Sequence, residues 1–185
     1  MNYTKVYPVE IMEGFTENGS CMLMLMEPDS NRFIPIMIGE HEAQAIILAQ
    51  EQTDTKRPMT HQLIRNMMEA FDLQLKLVTI DRFEEGIFYA SLHMHDGLLE
   101  KRVDSRTSDA VVLAIMHGVD IEMENSVLED TAIERDSLEN GYQHKEDLRE
   151  ASVEDLLQQL AEAEANEEYE LAAELQKKID QWTKE

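Results

Sequence analysis

The sequence has few of the residues that form covalent staples or sharp turns, with one cysteine, four prolines and seven glycines among 185 residues. One cysteine excludes a disulfide framework within the chain. Cys21 lies in the alternating stretch CMLMLM, where we expect a small buried apolar residue in a reducing cytosol. The remaining composition, 43% hydrophobic and 30% charged, is typical of a globular protein with one sizeable core.

Long apolar runs are also missing. The longest, residues 110–116, is far shorter than the roughly 18 residues expected of a membrane-spanning helix. The first residues do not combine the basic, apolar and small-residue segments of a secretory signal. We therefore expect a cytoplasmic protein with no membrane partner.

Positive charge is scarce, because 16 basic residues face 39 acidic ones and the formal net charge is −23. Such a charge repels phosphate backbones over a Debye length of about 8 Å, which disfavours non-specific nucleic-acid binding. Chemistry on nucleic acid would need a local positive patch. Two groups could supply one: Lys56, Arg57 and Arg65, and then Lys101, Arg102 and Arg106.

Alternating apolar residues predict two sets of three strands. The first set is KVYPVEIM, CMLMLME and RFIPIMI, and the second is LQLKLVTI, GIFYASLHMH and LLEKRVDS. Helices are predicted in EHEAQAIILAQEQ after Gly39, from an N-cap at Thr60, and in SDAVVLAIMH up to Gly118. This order favours an α+β domain over residues 1–133, with a mixed or antiparallel sheet and packed helices.

Two stretches of the chain resemble each other. MIGEHEAQAIILA and VDSRTSDAVVLAI each run from a strand end through a polar turn into an apolar helix, and each follows three predicted strands. They indicate either a duplicated β-β-β-α unit or a chance match.

The chain after residue 133 changes character. Residues 134–150 are polar and without an apolar stripe, which is typical of a linker. Residues 151–185 regain helical periodicity on both sides of Asn166 and predict an antiparallel helical hairpin. A lone hairpin buries little apolar surface, so it needs a partner.

Residues 1–133 contain four characteristic stretches, in the order FIPIMIGEHEAQAI, RPMTHQLI, IFYASL and VDSRTSDAVVLA. In these stretches the chain resembles the bifunctional nuclease domain family. The resemblance implies a compact α+β fold, a homodimer, and RNase and DNase activity. One departure is Gln62, where the family commonly has an acid after the Thr-His pair.

Within residues 151–185, the stretch EYELAAELQKKI has the pattern aromatic-acid-x-Ala-Ala-x-Leu. This pattern is similar to the core of the UVR motif, the helical hairpin of excision-repair nuclease subunits and some protease adaptors. The resemblance implies a hairpin that binds a protein through the residues Tyr169, Ala172, Ala173, Leu175 and Ile179.

Phosphodiester hydrolysis calls for an activated water, carboxylates, a proton-transfer group and positive charge near the phosphate. The candidate catalytic residues are Glu42, His61, Asp104 and Asp109. Arg57 and Arg106 could bind phosphate, and Asp104 and Asp109 could hold Mg²⁺ or Mn²⁺.

Each candidate also has a plain structural interpretation. Thr107, Ser108 and Asp109 would cap the helix that follows. Glu42 would only interact favourably with the positive end of the dipole of its own helix. Asp104 and Arg106 would form an ion pair that supports the turn.

The leading hypothesis is therefore a metal-dependent nuclease acting on RNA or DNA, with a protein-docking hairpin. The alternatives are a non-catalytic adaptor that recruits a repair or proteolysis partner, and an anion-sensing regulatory module using Arg57 and Arg106.

Overall fold

The chain divides into two units, Met1–Glu134 and Arg135–Glu185. The structure is a computed structural model that describes residues 2–12, 20–28, 30, 32–53 and 55–134, together with residues 158 and 160. The linker and hairpin predicted for residues 134–150 and 151–185 therefore lie almost wholly outside the described residues.

The described part of the first unit is one sheet of eight strands with four helices. In chain order the elements are β1 (Tyr3–Met12), β2 (Cys21–Met26), β3 (Arg32–Ile38), α1 (Glu40–Gln50), α2 (Thr60–Ala70), β4 (Gln74–Glu84), β5 (Ile87–His95), β6 (Glu100–Arg106), α3 (Thr107–His117), β7 (Ile121–Glu124), α4 (Asn125–Thr131) and β8 (Ile133–Glu134). The predicted α+β fold with a mixed sheet is confirmed.

Two antiparallel meanders flank the short strand β7. The strand order is β6-β5-β4-β7-β1-β2-β3-β8, and the pairing of β4 with β7 is parallel. Each meander runs directly into a helix, β1 to β3 into α1 and β4 to β6 into α3. The order of elements is thus the twofold β-β-β-α pattern that the sequence echo indicates, with α2 between the two halves.

The hydrophobic core lies on one face of the sheet, under the helices. Alternation along each strand sends one set of side chains into it, for example Leu23 and Leu25 of β2 and Val78 and Ile80 of β4. The helix α3 is apolar almost throughout and buries five consecutive residues, 110–114. Cys21 is buried in the same core, as predicted.

The second helix differs from its prediction. Its N-cap is Met59, one residue before the predicted Thr60. The apolar stripe that its sequence predicts, Leu63, Ile64, Met67, Met68 and Phe71, is mostly exposed. Only Met68 of that stripe is buried, whereas Leu63 and Met67 are 51% exposed and Phe71 is 71% exposed. An apolar stripe alone does not tell whether a helix faces its own core or another surface.

Within the described residues, no helix combines the length and the apolar character needed to cross a membrane.

Candidate functional site

Four of the six candidate site residues meet at one end of the sheet. Glu42 lies in the first turn of α1, His61 in the first turn of α2 and Asp109 in the first turn of α3, while Arg106 ends β6. α1 and α3 pack against each other on the sheet. Their N-terminal ends therefore bring side chains from distant parts of the sequence to one place.

Arg106 joins the two carboxylates. Its Nη1 donates to Glu42 Oε1 at 2.7 Å, its Nε donates to Asp109 Oδ2 at 2.8 Å and its Nη2 donates to Asp109 Oδ1 at 3.1 Å. A guanidinium has five N–H donors, so these contacts leave one N–H free on each Nη atom. The predicted ion pair of Arg106 with Asp104 is replaced by this fork to Asp109 and Glu42.

His61 is the third partner of this network. Its Nε2 lies 2.9 Å from Asp109 Oδ1, and its side chain is 17% exposed. An ionised carboxylate only accepts hydrogen bonds, so Nε2 carries the hydrogen and the lone pair of the neutral ring resides on Nδ1. The pair has the arrangement of a histidine base oriented by a carboxylate.

The charges of the network stabilise one another. Burial opposes ionisation of Asp109, but hydrogen bonds from Arg106 and His61 outweigh it and lower the pKa of this carboxyl. The pKa of Glu42 is lowered first by a hydrogen bond from its own backbone N–H and then by Arg106, against the effect of burial. Hydrogen bonds to Asp109 and Glu42 raise the pKa of Arg106. Both acids are ionised and Arg106 is charged at neutral pH.

The two carboxylates occupy equivalent positions in the two halves of the fold. Glu42 and Asp109 are each the third residue of the helix that follows a meander, counted from the N-caps Gly39 and Arg106. Gly39 also makes room for Glu42, because a Cβ on Gly39 would lie 2.5 Å from Glu42 Oε2. Arg106, in the place equivalent to Gly39, supplies the cation between the two acids.

Residues 107–109 follow the N-cap of α3 and do not supply it. The N-cap is Arg106, which makes no side-chain cap hydrogen bond, and Asp109 is the acidic residue of the first turn. Thr107 Oγ1 instead donates to the carbonyl oxygen of Phe88 at 3.2 Å, which fastens α3 to β5. Asp109 is committed to Arg106 and His61.

Gln62 has a structural part to play. Its Oε1 accepts a hydrogen bond from the Met59 N–H at 2.9 Å and another from Thr55 Oγ1 at 2.6 Å, and this stabilises the start of α2. A carboxylate could accept the same two bonds. Gln62 thus holds the helix that carries His61 and takes no part in the network itself.

Asp104 and Arg57 lie outside the network. Asp104 is exposed on β6 opposite Ser91, and its carboxylate makes no hydrogen bond or ion pair with the described residues. Arg57 is exposed before α2, and its carbonyl oxygen accepts a hydrogen bond from Thr55 Oγ1. Over the described ranges, no three His, Cys, Asp or Glu side chains are grouped so as to hold a metal ion.

A groove opens beside the network. Its volume is about 300 Å³, and it lies between the ends of β3 and β5 and the first turns of α1 and α3. Glu42, Arg106 and Ser108 contribute polar groups, and Met37, Ile87 and Phe88 contribute apolar surface.

A second polar cluster, on the other face of the sheet, centres on Asp81, which is not among the residues selected from the sequence. The carboxylate of Asp81, in β4, accepts hydrogen bonds from Ser91 Oγ at 2.7 Å and from Tyr3 Oη at 3.1 Å. It also forms an ion pair with Arg102, whose Nη2 lies 2.5 Å from Asp81 Oδ2. Burial disfavours the charge of Asp81, but these bonds and one from Thr79 outweigh it and lower the pKa of the carboxyl. The signal in the sequence is a set of polar residues at alternate positions of neighbouring strands.

His93 belongs to that same face. Its Nε2 lies 2.9 Å from Thr79 Oγ1, while His95 Nδ1 accepts a bond from the Gly97 N–H. The partners of the Asp81 carboxylate come from four strands, β1, β4, β5 and β6. This cluster therefore stabilises the pairing of strands within the sheet.

The residues predicted to bind a protein partner, Tyr169, Ala172, Ala173, Leu175 and Ile179, lie outside the described residues.

Comparison with known proteins places the network inside a known domain. A family profile described as bifunctional nuclease domain matches residues 23–136, which include all four network residues. Two Mycobacterium tuberculosis proteins, from the strains CDC 1551 / Oshkosh and ATCC 25618 / H37Rv, are each 41% identical to the chain over 107 residues. The similarity covers 58% of this chain and 63% of each relative, so the chain spans just under two thirds of their length. Both relatives carry the name uncharacterized protein.

Proposed function

Because the chain belongs to the bifunctional nuclease domain family, we propose that it hydrolyses phosphodiester bonds of RNA or single-stranded DNA at the Glu42, His61, Arg106 and Asp109 network. The observation that carries this proposal is the convergence itself: residues from three helices and one strand form a single hydrogen-bonded group. Phosphodiester cleavage needs the base, the orienting acid and the cation that this group contains.

His61 is the general base of the proposed reaction. Asp109 fixes the ring with Nε2 as donor, so Nδ1 removes a proton from a water molecule that attacks the phosphorus atom. The new bond is water oxygen to phosphorus, and the bond that breaks joins phosphorus to the leaving ribose oxygen. The proton on Nδ1 then passes to that oxygen, which leaves His61 neutral again.

Arg106 stabilises the negative charge that develops on the phosphoryl oxygens. Its two unused N–H groups are the donors for this contact, and its side chain is 66% exposed, so a substrate can reach it. Glu42 and Asp109 hold the guanidinium in place, which lowers the cost of orienting it in the transition state. Lys56 and Arg57, exposed just before α2, add positive charge near His61.

The role of Mg²⁺ or Mn²⁺ remains a prediction from the sequence. The present donor set does not fit a preformed divalent site, because Arg106 occupies the place between the two acids and Asp104 lies apart from them. The proposed steps therefore use only the side chains. Cleavage assays with EDTA, with Mg²⁺ and with Mn²⁺ decide whether a metal is also needed.

The experiment for the proposal is cleavage of labelled single-stranded RNA and DNA by the purified chain and by His61→Gln. We expect cleavage by the wild type and a loss of about 100-fold or more in His61→Gln, the range for removal of a general base. The matched control is His41→Gln, a histidine in the first turn of α1 that makes no hydrogen bond with the described residues. Wild-type protein without activity would refute the proposal.

We also propose a homodimer that covers the exposed apolar stripe of α2, which consists of Met59, Leu63, Ile64, Met67 and Phe71. An exposed stripe of this kind marks a protein contact. A contact between two copies must be self-complementary, and α2 carries Arg65 and Glu69 beside the stripe, so an antiparallel pair of helices brings opposite charges together.

Light scattering of Leu63→Glu tests the dimer, with Leu98→Glu as the control. Leu98 is even more exposed, at 88%, and lies in the β5–β6 turn. We expect Leu63→Glu to be monomeric and Leu98→Glu to keep the wild-type mass. A monomeric wild type would contradict the proposal.

The resemblance of residues 151–185 to the UVR motif supports a further proposal, a cytoplasmic protein partner for this segment. Pull-down of partners from cell extract by the full chain, and by a chain ending at residue 150, tests it. An unchanged set of partners would exclude this role.

A second candidate function is a non-catalytic adaptor or anion sensor. It is favoured by the closed bonding within the network, since both acids already have donors and Arg106 is balanced by two carboxylates. This candidate predicts phosphate binding at Arg106 without turnover.

A further inference from the structure

Ser108 has a polar group with no partner among the described residues. The residue is the second of α3 and is only 7% exposed. Both of its neighbours make side-chain hydrogen bonds, Thr107 to Phe88 and Asp109 to Arg106 and His61. The Ser108 hydroxyl makes none with any described residue. Ser108 lines the groove, and its oxygen is not one of the enclosed polar atoms without a hydrogen-bond partner among the described residues. The hydroxyl is therefore reachable from the groove and can bond a ligand that enters there.

The polar end of the groove is suited to an anion. In the first turn of α1 the Glu42 carboxylate accepts a hydrogen bond from its own backbone N–H. The N-cap residue of α3, Arg106, makes no side-chain cap hydrogen bond, so N–H groups at the start of α3 are left for a ligand beside the groove. The N-terminal end of a helix carries partial positive charge and attracts phosphate. Arg106 lies at the same end with its two unused N–H groups. A phosphate there would receive bonds from Ser108, from Arg106 and from the start of α3.

The other end of the groove is apolar. Ile87 is 56% exposed and Met37 is 52% exposed, and both line it together with Phe88. Such side chains suit the flat face of a nucleobase, which stacks on apolar and aromatic surface. The volume of about 300 Å³ is at the lower end of the range for small-ligand sites. The space therefore suits one nucleotide and is too small for a duplex.

We propose that this groove binds one nucleotide of a single-stranded nucleic acid, with its phosphate on the Ser108 hydroxyl and Arg106 and its base against Ile87 and Met37. Ser108 is then a positioning residue that holds the phosphate within reach of the network. This inference rests on the proposed function for its substrate class, but it concerns binding and is testable without turnover.

The test is calorimetric titration of the full chain with three probes: adenosine 5′-monophosphate, adenosine and inorganic phosphate. We expect the monophosphate to bind more tightly than either fragment, because it fills both ends of the groove. Ser108→Ala should weaken its binding about tenfold, the loss expected for one hydrogen bond to a charged group. Ile87→Ser should weaken binding of the monophosphate and leave binding of inorganic phosphate unchanged.

Ser126→Ala is the matched control, since Ser126 is an exposed serine of α4 whose hydroxyl bonds Glu124. Thermal melting verifies that Ser108→Ala folds, which we expect because alanine is the better helix former. Equal affinity in wild type and Ser108→Ala, or no binding of the monophosphate to wild type, would overturn the inference.

Cleavage kinetics separate this inference from the proposed function. A raised KM with kcat nearly unchanged in Ser108→Ala supports a positioning role. Active wild type whose KM is unaffected by Ser108→Ala keeps the nuclease and refutes the groove site. Binding that depends on Ser108 in a protein without cleavage keeps the groove site and refutes the nuclease.

Discussion

Asp109→Asn is the most informative single change to the network, because Asp109 contacts both His61 and Arg106. The carboxylate accepts two bonds from Arg106 and one from His61. An asparagine has one acceptor oxygen, and its NH₂ group would face a donor of Arg106 or of His61. The variant therefore loses the orientation of the base, the cation, or both.

The stability cost arises from the same contacts. Hydrogen bonds to charged groups contribute about 1.5–3 kcal/mol each when well shielded. Arg106 is 66% exposed, so solvent screens its share. We expect a loss of about 1–2 kcal/mol in the free energy of unfolding and a fall of about 3–8 °C in Tm. For catalysis we expect kcat to fall about 100-fold or more, since both base orientation and charge stabilisation suffer.

The assay compares initial cleavage rates of a fluorescent single-stranded RNA, at a temperature well below the Tm of each variant. Asp104→Asn is the control, because Asp104 undergoes the same chemical change three residues before α3 and is exposed outside the network. We expect wild-type rates from Asp104→Asn. Full activity in Asp109→Asn, or an equal loss in Asp104→Asn, would refute the assignment of the site.

Three further outcomes are expected from the structure. The pKa values of Asp109 and Glu42 lie below their ordinary 3.8 and 4.5. The two carboxylates therefore stabilise the fold above their ordinary pKa values, and this stabilisation is lost as the pH falls through the lowered ones. The free energy of unfolding in urea should be smaller at about pH 3 than at about pH 7, and the difference should be smaller in Asp109→Asn. Gly39→Ala should displace the Glu42 carboxylate from Arg106, because the added Cβ would lie too close to Glu42 Oε2, while Tm stays nearly unchanged. NMR titration should show that the pKa of Glu42 rises in this variant, and an unchanged pKa would contradict the steric contact. Gly118→Ala should cost about 1 kcal/mol because this residue ends α3 with φ +64°, and chemical denaturation showing no loss would contradict that cause.

The sequence predicts the elements of this fold better than their arrangement. The strands and helices of both meanders are visible because alternation with period two changes to helical periodicity at Gly39 and again near Arg106. β7 is only four residues long, and its place between β4 and β1 depends on a parallel pairing that local pattern does not encode. The stripe of α2 has the same appearance whether it faces a core or a partner.

The sequence predicts which types of residue could form the site, but it does not predict which of them are in contact. Side-chain chemistry selects Glu42, His61, Arg106 and Asp109, and it selects Asp104 and Arg57 on the same grounds. Only the packing of α1 against α3, with α2 beside α3, separates the four that meet from the two that do not. The sequence predicts Ser108 as part of a helix cap, whereas its place in the lining of the groove is visible only in three dimensions.

The origin of the network in both meanders has a consequence for refolding. Glu42 and Arg106 are 64 positions apart in the chain, and such distant contacts form slowly because the intervening loop must close first. Each half can form its own hairpins early, but neither half contains all the residues of the network. In a refolding time course, the signals of sheet formation should therefore rise before the proposed cleavage activity returns.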